Sequence, residues 1–235
     1  MNLRNVLLAA FFCMVSCLSQ AQGKQGSYET KWKVVDSLIH QKGLVQSALT
    51  EVNKIYALAR QEKNDVQVIR ALIYRINLQE STREDATLSS IEDLEKEIAL
   101  TGQPARSILQ NILAGIYWSY FQQHRWQLYN RTATVNFVKK DIATWGAADL
   151  HQKMGELYLS SVRDEQLLQQ TKLEAYDPIL IKGNARALRP TLFDLLSHRA
   201  LDYFKTDERD AGKPAYAFEI DDTAAFADAV TFAEH

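Results

Sequence analysis

Apolar residues recur at intervals of three and four along most of this chain, the period of helices with one buried face. The first run predicts a helix from about Tyr28 to Gln41, with Trp32, Val35, Leu38 and Ile39 on one side. Gly43 follows where a helix-ending left-handed residue belongs. A second helix, about Leu44 to Glu62, carries Val45, Ala48, Leu49, Val52, Ile55, Tyr56 and Ala59 in the same rhythm. Asn64 and Asp65 end it and cap a third, whose stripe is Val66, Ile69, Leu72, Ile73 and Ile76. After the polar stretch Gln79 to Ala86, Ser89 and Glu92 have capping-box spacing ahead of Leu94 and Ile98.

Gly102 and Pro104 bracket a stop and a start. The fifth helix has the strongest period, through Ile108, Leu109, Ile112, Leu113, Ile116, Tyr117, Tyr120 and Phe121. A polar-aromatic stretch, Gln122 to Thr144, breaks the pattern. Another helix follows from about Ala147 to Val162, with Leu150, Met154, Leu157 and Tyr158 inward. Tyr176 to Asn184 reads as a loop with a short extended piece. Pro190 opens a last helix that faces Leu192, Leu195, Leu196, Ala200 and Tyr203 inward.

The predicted class is all-α: helical hairpins stacked as a tetratricopeptide-like solenoid or as an irregular helical bundle. Two consecutive helix pairs of roughly 35 residues favour the repeat. Trp32 and Ala48 stand sixteen apart, as that repeat's tryptophan and first alanine do, but Asp36 occupies the glycine position. In either arrangement the helices are too apolar on one side to stand alone and must stack.

Composition adds limits. With 46% hydrophobic and 24% charged residues, the chain has ordinary globular content. Four prolines and nine glycines in 235 residues favour long helices over a turn-rich sandwich. The formal charge of −2 provides no general attraction to nucleic acid or anionic lipid.

Residues 1–21 read as an export signal: Arg4, the apolar run Val6 to Val15, and the small-x-small site Ser19-Gln20-Ala21. Residues 22–205 then form the helical domain, and 206–235 an acidic, Ala-rich, poorly periodic C-terminal segment. The apolar run is short for a bilayer span, so no transmembrane span is expected after cleavage. Val15-Ser16-Cys17 also resembles a lipobox, with Cys17 as the acylated residue and a lipid anchor as its consequence. Cys13 and Cys17 are the two cysteines, so cleavage after Ala21 leaves none for disulfides, thiolate nucleophiles or zinc–sulfur sites. Loss of Arg4 takes the formal charge from −2 to −3.

Candidate chemistry is sparse, and neither a cofactor nor an enzymatic reaction is expected. The five histidines include no H-E-x-x-H, and neither a phosphate loop nor a G-x-S-x-G elbow is present. Asp194 and His198, four apart on one helix, offer two metal ligands without a third, and an ordinary hydrogen-bonded pair is the favoured reading. Glu95 with Glu97, and Asp221 with Asp222, read as solvated acidic surface. Tyr117 to Thr132 interleaves aromatic and Arg residues, a pattern that can stack on a sugar, base or peptide. Tyr117, Tyr120 and Phe121 are expected in the core, and Trp126 and Tyr129 against the loop that follows. Asn130-Arg131-Thr132 fits a glycosylation acceptor. Arg186, Arg189 and Arg199 near Pro190 either bind an anion or bridge Asp177, Asp194 or Asp202. The expected interaction surface is therefore Arg125, Trp126 and Tyr129, with Arg186 and Arg189.

Several segments resemble the N-terminal region of the large alpha-2-macroglobulin-like proteins exported by Bacteroidetes. They are Trp32 to Ala59, Val68 to Tyr74, Ile116 to Thr132, Gly183 to Phe204 and Lys213 to Asp221. The resemblance implies a protease-trap inhibitor in the periplasm or at the outer membrane, in which β-domains close on a protease after bait cleavage. The chain departs from that complete pattern, having no mature cysteine, no C-x-x-E-Q thioester context and no run of β-domains. The expectation is thus a truncated N-terminal scaffold whose partner is protein, either the remainder of the trap or an envelope component. No functional residue carries over. A stand-alone tetratricopeptide-like binding module, lipid-anchored or free, is the alternative.

Overall fold

The computed structural model describes residues 26–80, 82–83, 86–129, 142–183, 185–206 and 228. The export signal, Cys17, Asn130-Arg131-Thr132 and nearly all of 206–235 lie outside them. The described residues form helices α1 (26–40), α2 (Val45–Gln61), α3 (Asp65–Glu80), α4 (Ala86–Leu100), α5 (Ala105–Tyr129), α6 (Ala147–Ser161), α7 (Glu165–Gln170) and α8 (Leu192–Phe204). Three 3₁₀ turns, Ile142–Thr144, Leu173–Ile179 and Arg186–Leu188, complete them. The one β feature among the described residues is an isolated bridge between Lys172 and Thr191. The class is all-α, as the periodicity predicts.

Helices α2 to α6 each pack on the next, giving stacked antiparallel hairpins. Burial follows the stripes: Tyr28, Trp32 and Val35 on α1, and Ala48, Val52, Ile55 and Ala59 on α2, are all covered. α3 is buried around most of its circumference because α2, α4, α5 and the turn Leu173–Ile179 all lie against it, and α1 bonds to it. Gly43 does hold a left-handed conformation, φ 64°. The chain ends α2 the same way with a lysine: Lys63 has φ 55°, and the Asn64 N–H reaches back to the Ala59 carbonyl at 2.9 Å.

Three local expectations need correction. α4 starts at Ala86, so Ser89 and Glu92 lie inside the helix and make no capping box. The box occurs instead at α8, where Asp194 N–H donates to Thr191 Oγ1 and Asp194 Oδ2 accepts from Thr191 N–H at 2.9 Å. α5 does not stop near Phe121 but continues to Tyr129, because Leu128 returns to the buried face two turns later. The stretch Tyr176 to Asn184 is 3₁₀ helix as far as Ile179, where the buried Tyr176 docks the turn on the core near α3.

The chain after α6 folds back over the stack. The turn Leu173–Ile179 reaches α3, and α8 lies against α5, α6 and α7. Asn111 ties this closure together from the second turn of α5. Its Nδ2 donates to Ser161 Oγ at 3.2 Å and to the Leu196 carbonyl at 3.3 Å, joining α5, α6 and α8.

Candidate functional site

The two predicted interaction groups sit far apart. Asn111 holds α8 near the start of α5, and Trp126 lies fifteen residues further along the same helix, a rise of about 22 Å. Arg125, Trp126 and Tyr129 occupy the last two turns of α5. Trp126 is 74% exposed, and the Arg125 guanidinium lies 5.6 Å from its ring centroid. Tyr129 turns inward and meets Phe121 edge-on at 5.7 Å. The trio therefore divides, with Trp126 on the surface and Tyr129 half-buried against the core.

The aromatic residues before them are packing material. Tyr117 and Phe121 are buried, and Phe121 meets the His151 ring at 4.5 Å. His151 Nδ1 lies 3.1 Å from the Tyr203 hydroxyl, which donates to the His151 carbonyl at 3.0 Å. These contacts bind α5, α6 and α8 into one aromatic layer.

Arg186 opens the 3₁₀ turn that precedes α8, and Arg189 directly follows that turn. Arg186 pairs with Asp177 at 2.5 Å, and Lys182 pairs with the same carboxylate at 3.1 Å. Lys182 first, against some desolvation, and then Arg186 hold the Asp177 carboxyl below the usual carboxylate range. Bridging of Asp177 is thus the geometry found for Arg186, while Arg189 is exposed. The Asp194–His198 hydrogen bond expected from spacing is not what occupies Asp194. Its Oδ2 takes the Thr191 hydroxyl at 2.7 Å and the Thr191 N–H, and these bonds hold its carboxyl low. Among the described residues no three His, Cys, Asp or Glu side chains gather in a way that could hold a metal ion.

Two further features were not legible in the sequence. One is a carboxylate node. Glu97, read as solvated acid, is 2% exposed and accepts from Tyr56 at 2.5 Å, Arg60 at 2.9 Å and Thr101 at 3.2 Å. Burial, then Glu97, push the nearby Tyr56 phenol up to about 12. Asp65 at the head of α3 is raised by desolvation, against Arg60 and with Glu97. The other is a hollow of about 640 Å³ among α4, α5, α6 and the turn Ile142–Thr144. Its floor is Tyr117 stacked on Trp145 at 5.8 Å. On its rim Glu95 accepts from Tyr117 at 3.3 Å and pairs with Lys153 at 3.1 Å. These residues come from four separated segments, so only folding brings them together.

Stacked helical hairpins closed by their own C-terminal return define the class of this protein. A scan against protein-family models found no match, nor did searches of curated proteins and solved structures. Among the described residues no helix is long and apolar enough to cross a membrane.

Proposed function

We propose that this chain is the non-enzymatic N-terminal scaffold of an exported alpha-2-macroglobulin-like protease-trap protein. Its role is architectural, docking on the rest of the trap or on a partner in the periplasm or at the outer membrane. One observation carries the scaffold part of this reading. The deeply buried polar side chains Gln67, Glu97 and Asn111 are each bonded between helices, where they set one helix against another. The trap assignment rests on the segment resemblance.

The test is the reading frame of the intact gene beyond the codon for His235. A frame that continues into macroglobulin β-domains, whose purified product binds this chain in size-exclusion chromatography, supports the proposal. A stop codon there with no such domain encoded overturns it.

The exposure of Trp126 favours a second reading, a self-sufficient helical-repeat module that captures a peptide or protein. Capture of an envelope peptide by the isolated chain, lost in Trp126→Ala or Arg125→Ala with helicity unchanged, would decide for it.

A further inference from the structure

We infer that the described residues Leu180 to Gly183 and Ala185 to Arg189 form a peripheral docking edge for the anionic surface of a lipid bilayer. Its base is pinned. Leu173 N–H donates to the Pro190 carbonyl at 3.0 Å, and Leu192 N–H to the Thr171 carbonyl at 2.8 Å. The turn Leu173–Ile179 stays docked on the core through Tyr176, and the chain beyond it returns to a fixed point at Pro190.

Two large apolar side chains stand out from this loop: Ile181 is 102% exposed and Leu188 is 80% exposed. A single exposed leucine needs no explanation. Here, however, the two most exposed large hydrophobic residues described share one short loop with three cations. From Pro178 to Phe193 the sequence holds Lys182, Arg186 and Arg189 and no acidic residue. The net charge of the whole chain does not create this attraction, so it is local.

Asp177, just before the loop, pairs with both Lys182 and Arg186 and offsets one of their two charges. The nearest acid on the other side, Asp194, is engaged by Thr191 as the cap of α8. Beneath the loop lies a hollow of about 410 Å³ lined by Leu173, Leu180 and Leu195 among others. A soluble anion would use only the cations and leave Ile181 and Leu188 in water. A surface that is anionic at the headgroups and apolar just below engages both sets, with long basic stems reaching outward to phosphate.

The experiment uses the full chain carrying Cys13→Ser and Cys17→Ser, so that a single introduced cysteine is the only thiol. An environment-sensitive fluorophore is placed at Leu188→Cys or, as a control, at the exposed Lys33→Cys on α1. Vesicles of phosphatidylcholine with roughly one third phosphatidylglycerol are titrated to millimolar lipid at low salt, where surface attraction is strongest. The expected result is a blue shift at position 188 and none at position 33. Binding should weaken about tenfold or more in Lys182→Gln/Arg189→Gln, which leaves the Arg186–Asp177 pair in place. Ile181→Ser, with the probe kept at 188, should also weaken it. Circular dichroism checks that each variant keeps its helices.

An equal response to pure phosphatidylcholine, an equal shift at both probe positions, or no shift at 188 overturns the proposal. So does unchanged binding by the neutralised variant. Competition by free glycerol phosphate as effective as the vesicles identifies a soluble-anion site and overturns it too.

Discussion

Trp32 donates its indole N–H to Oε1 of Gln67 at 2.7 Å, fully inside the protein, so that α1 is registered on α3 by a polar contact as well as by packing. The Arg70 guanidinium covers the same indole at 4.4 Å, and Tyr74 lies 4.6 Å from it. Tyr74 in turn donates to Asp36 at 2.9 Å. Asp36, the residue that departs from the repeat's glycine, thus has its own structural task.

Replacing Gln67 with Leu leaves the buried indole N–H without its acceptor. Unfolding in urea should show a loss of about 1–3 kcal/mol. Trp32→Phe in the same chain removes the orphaned donor, so the double variant should lose less than the two single losses combined.

Glu97→Gln removes the charge that Arg60 faces at 2.9 Å. A fully buried pair broken this way loses about 3–5 kcal/mol. Arg60 is 34% exposed and can rehydrate, so the expected loss is smaller, about 1–3 kcal/mol. A change in the denaturation midpoint below the error of the method would show that Glu97 is not a structural node.

Tyr56 predicts the behaviour at high pH. Its phenol is raised from 10.0 to about 12, chiefly by burial and then by the hydrogen bond to Glu97. Below pH 10 the group is protonated in both folded and unfolded chains, and its contribution to stability is complete. As pH rises toward about 12 the unfolded chain ionises first, and that contribution is lost. Tyr28 and Tyr117 are raised as well, so Tyr56→Phe should remove only part of the alkaline decline. The check is unfolding free energy against pH for both chains, and identical slopes would refute the assignment.

Asn111→Ala should free α8 more than any other helix. The loss of two buried bonds, with the Leu196 carbonyl and Ser161 left short of a donor, is expected to cost about 2–3 kcal/mol. Amide hydrogen exchange should quicken first around Leu196. Uniform acceleration across α2 and α3 would contradict the local role.

Lys63 holds a left-handed conformation that a side chain disfavours. Lys63→Gly is therefore expected to raise stability by up to about 1 kcal/mol in thermal unfolding, through the relief of strain at the end of α2. A lower midpoint would mean that the lysine side chain contributes more than its backbone conformation costs.

The fold was largely legible because helix periodicity is a local property. Stripes such as Ala48, Val52, Ile55 and Ala59 specify both the helix and its buried face. Helix ends were less legible. Ser89 and Glu92 matched a capping box in spacing, yet the helix had already begun at Ala86, since spacing alone does not say which residue leaves helical geometry. The candidate site residues were read by type and neighbourhood, and Trp126 and Tyr129 then parted because one helix turns them to different environments. Glu97 looked like surface acid because its neighbours Glu95 and Lys96 are charged. Its partners Tyr56 and Arg60 lie some forty residues earlier and become visible only when α2 meets α4.

The sequence by itself determined that this protein is a set of amphipathic helices that must cover one another, since apolar spacing at 3.6 residues per turn follows from the backbone alone. Tertiary structure decided which polar residues became interior bonds, and that the chain after α6 turns back onto α3, α5 and α6. Those outcomes depend on contacts between residues tens of positions apart. Such contacts carry no signature in local spacing and form only when the helices have chosen their neighbours.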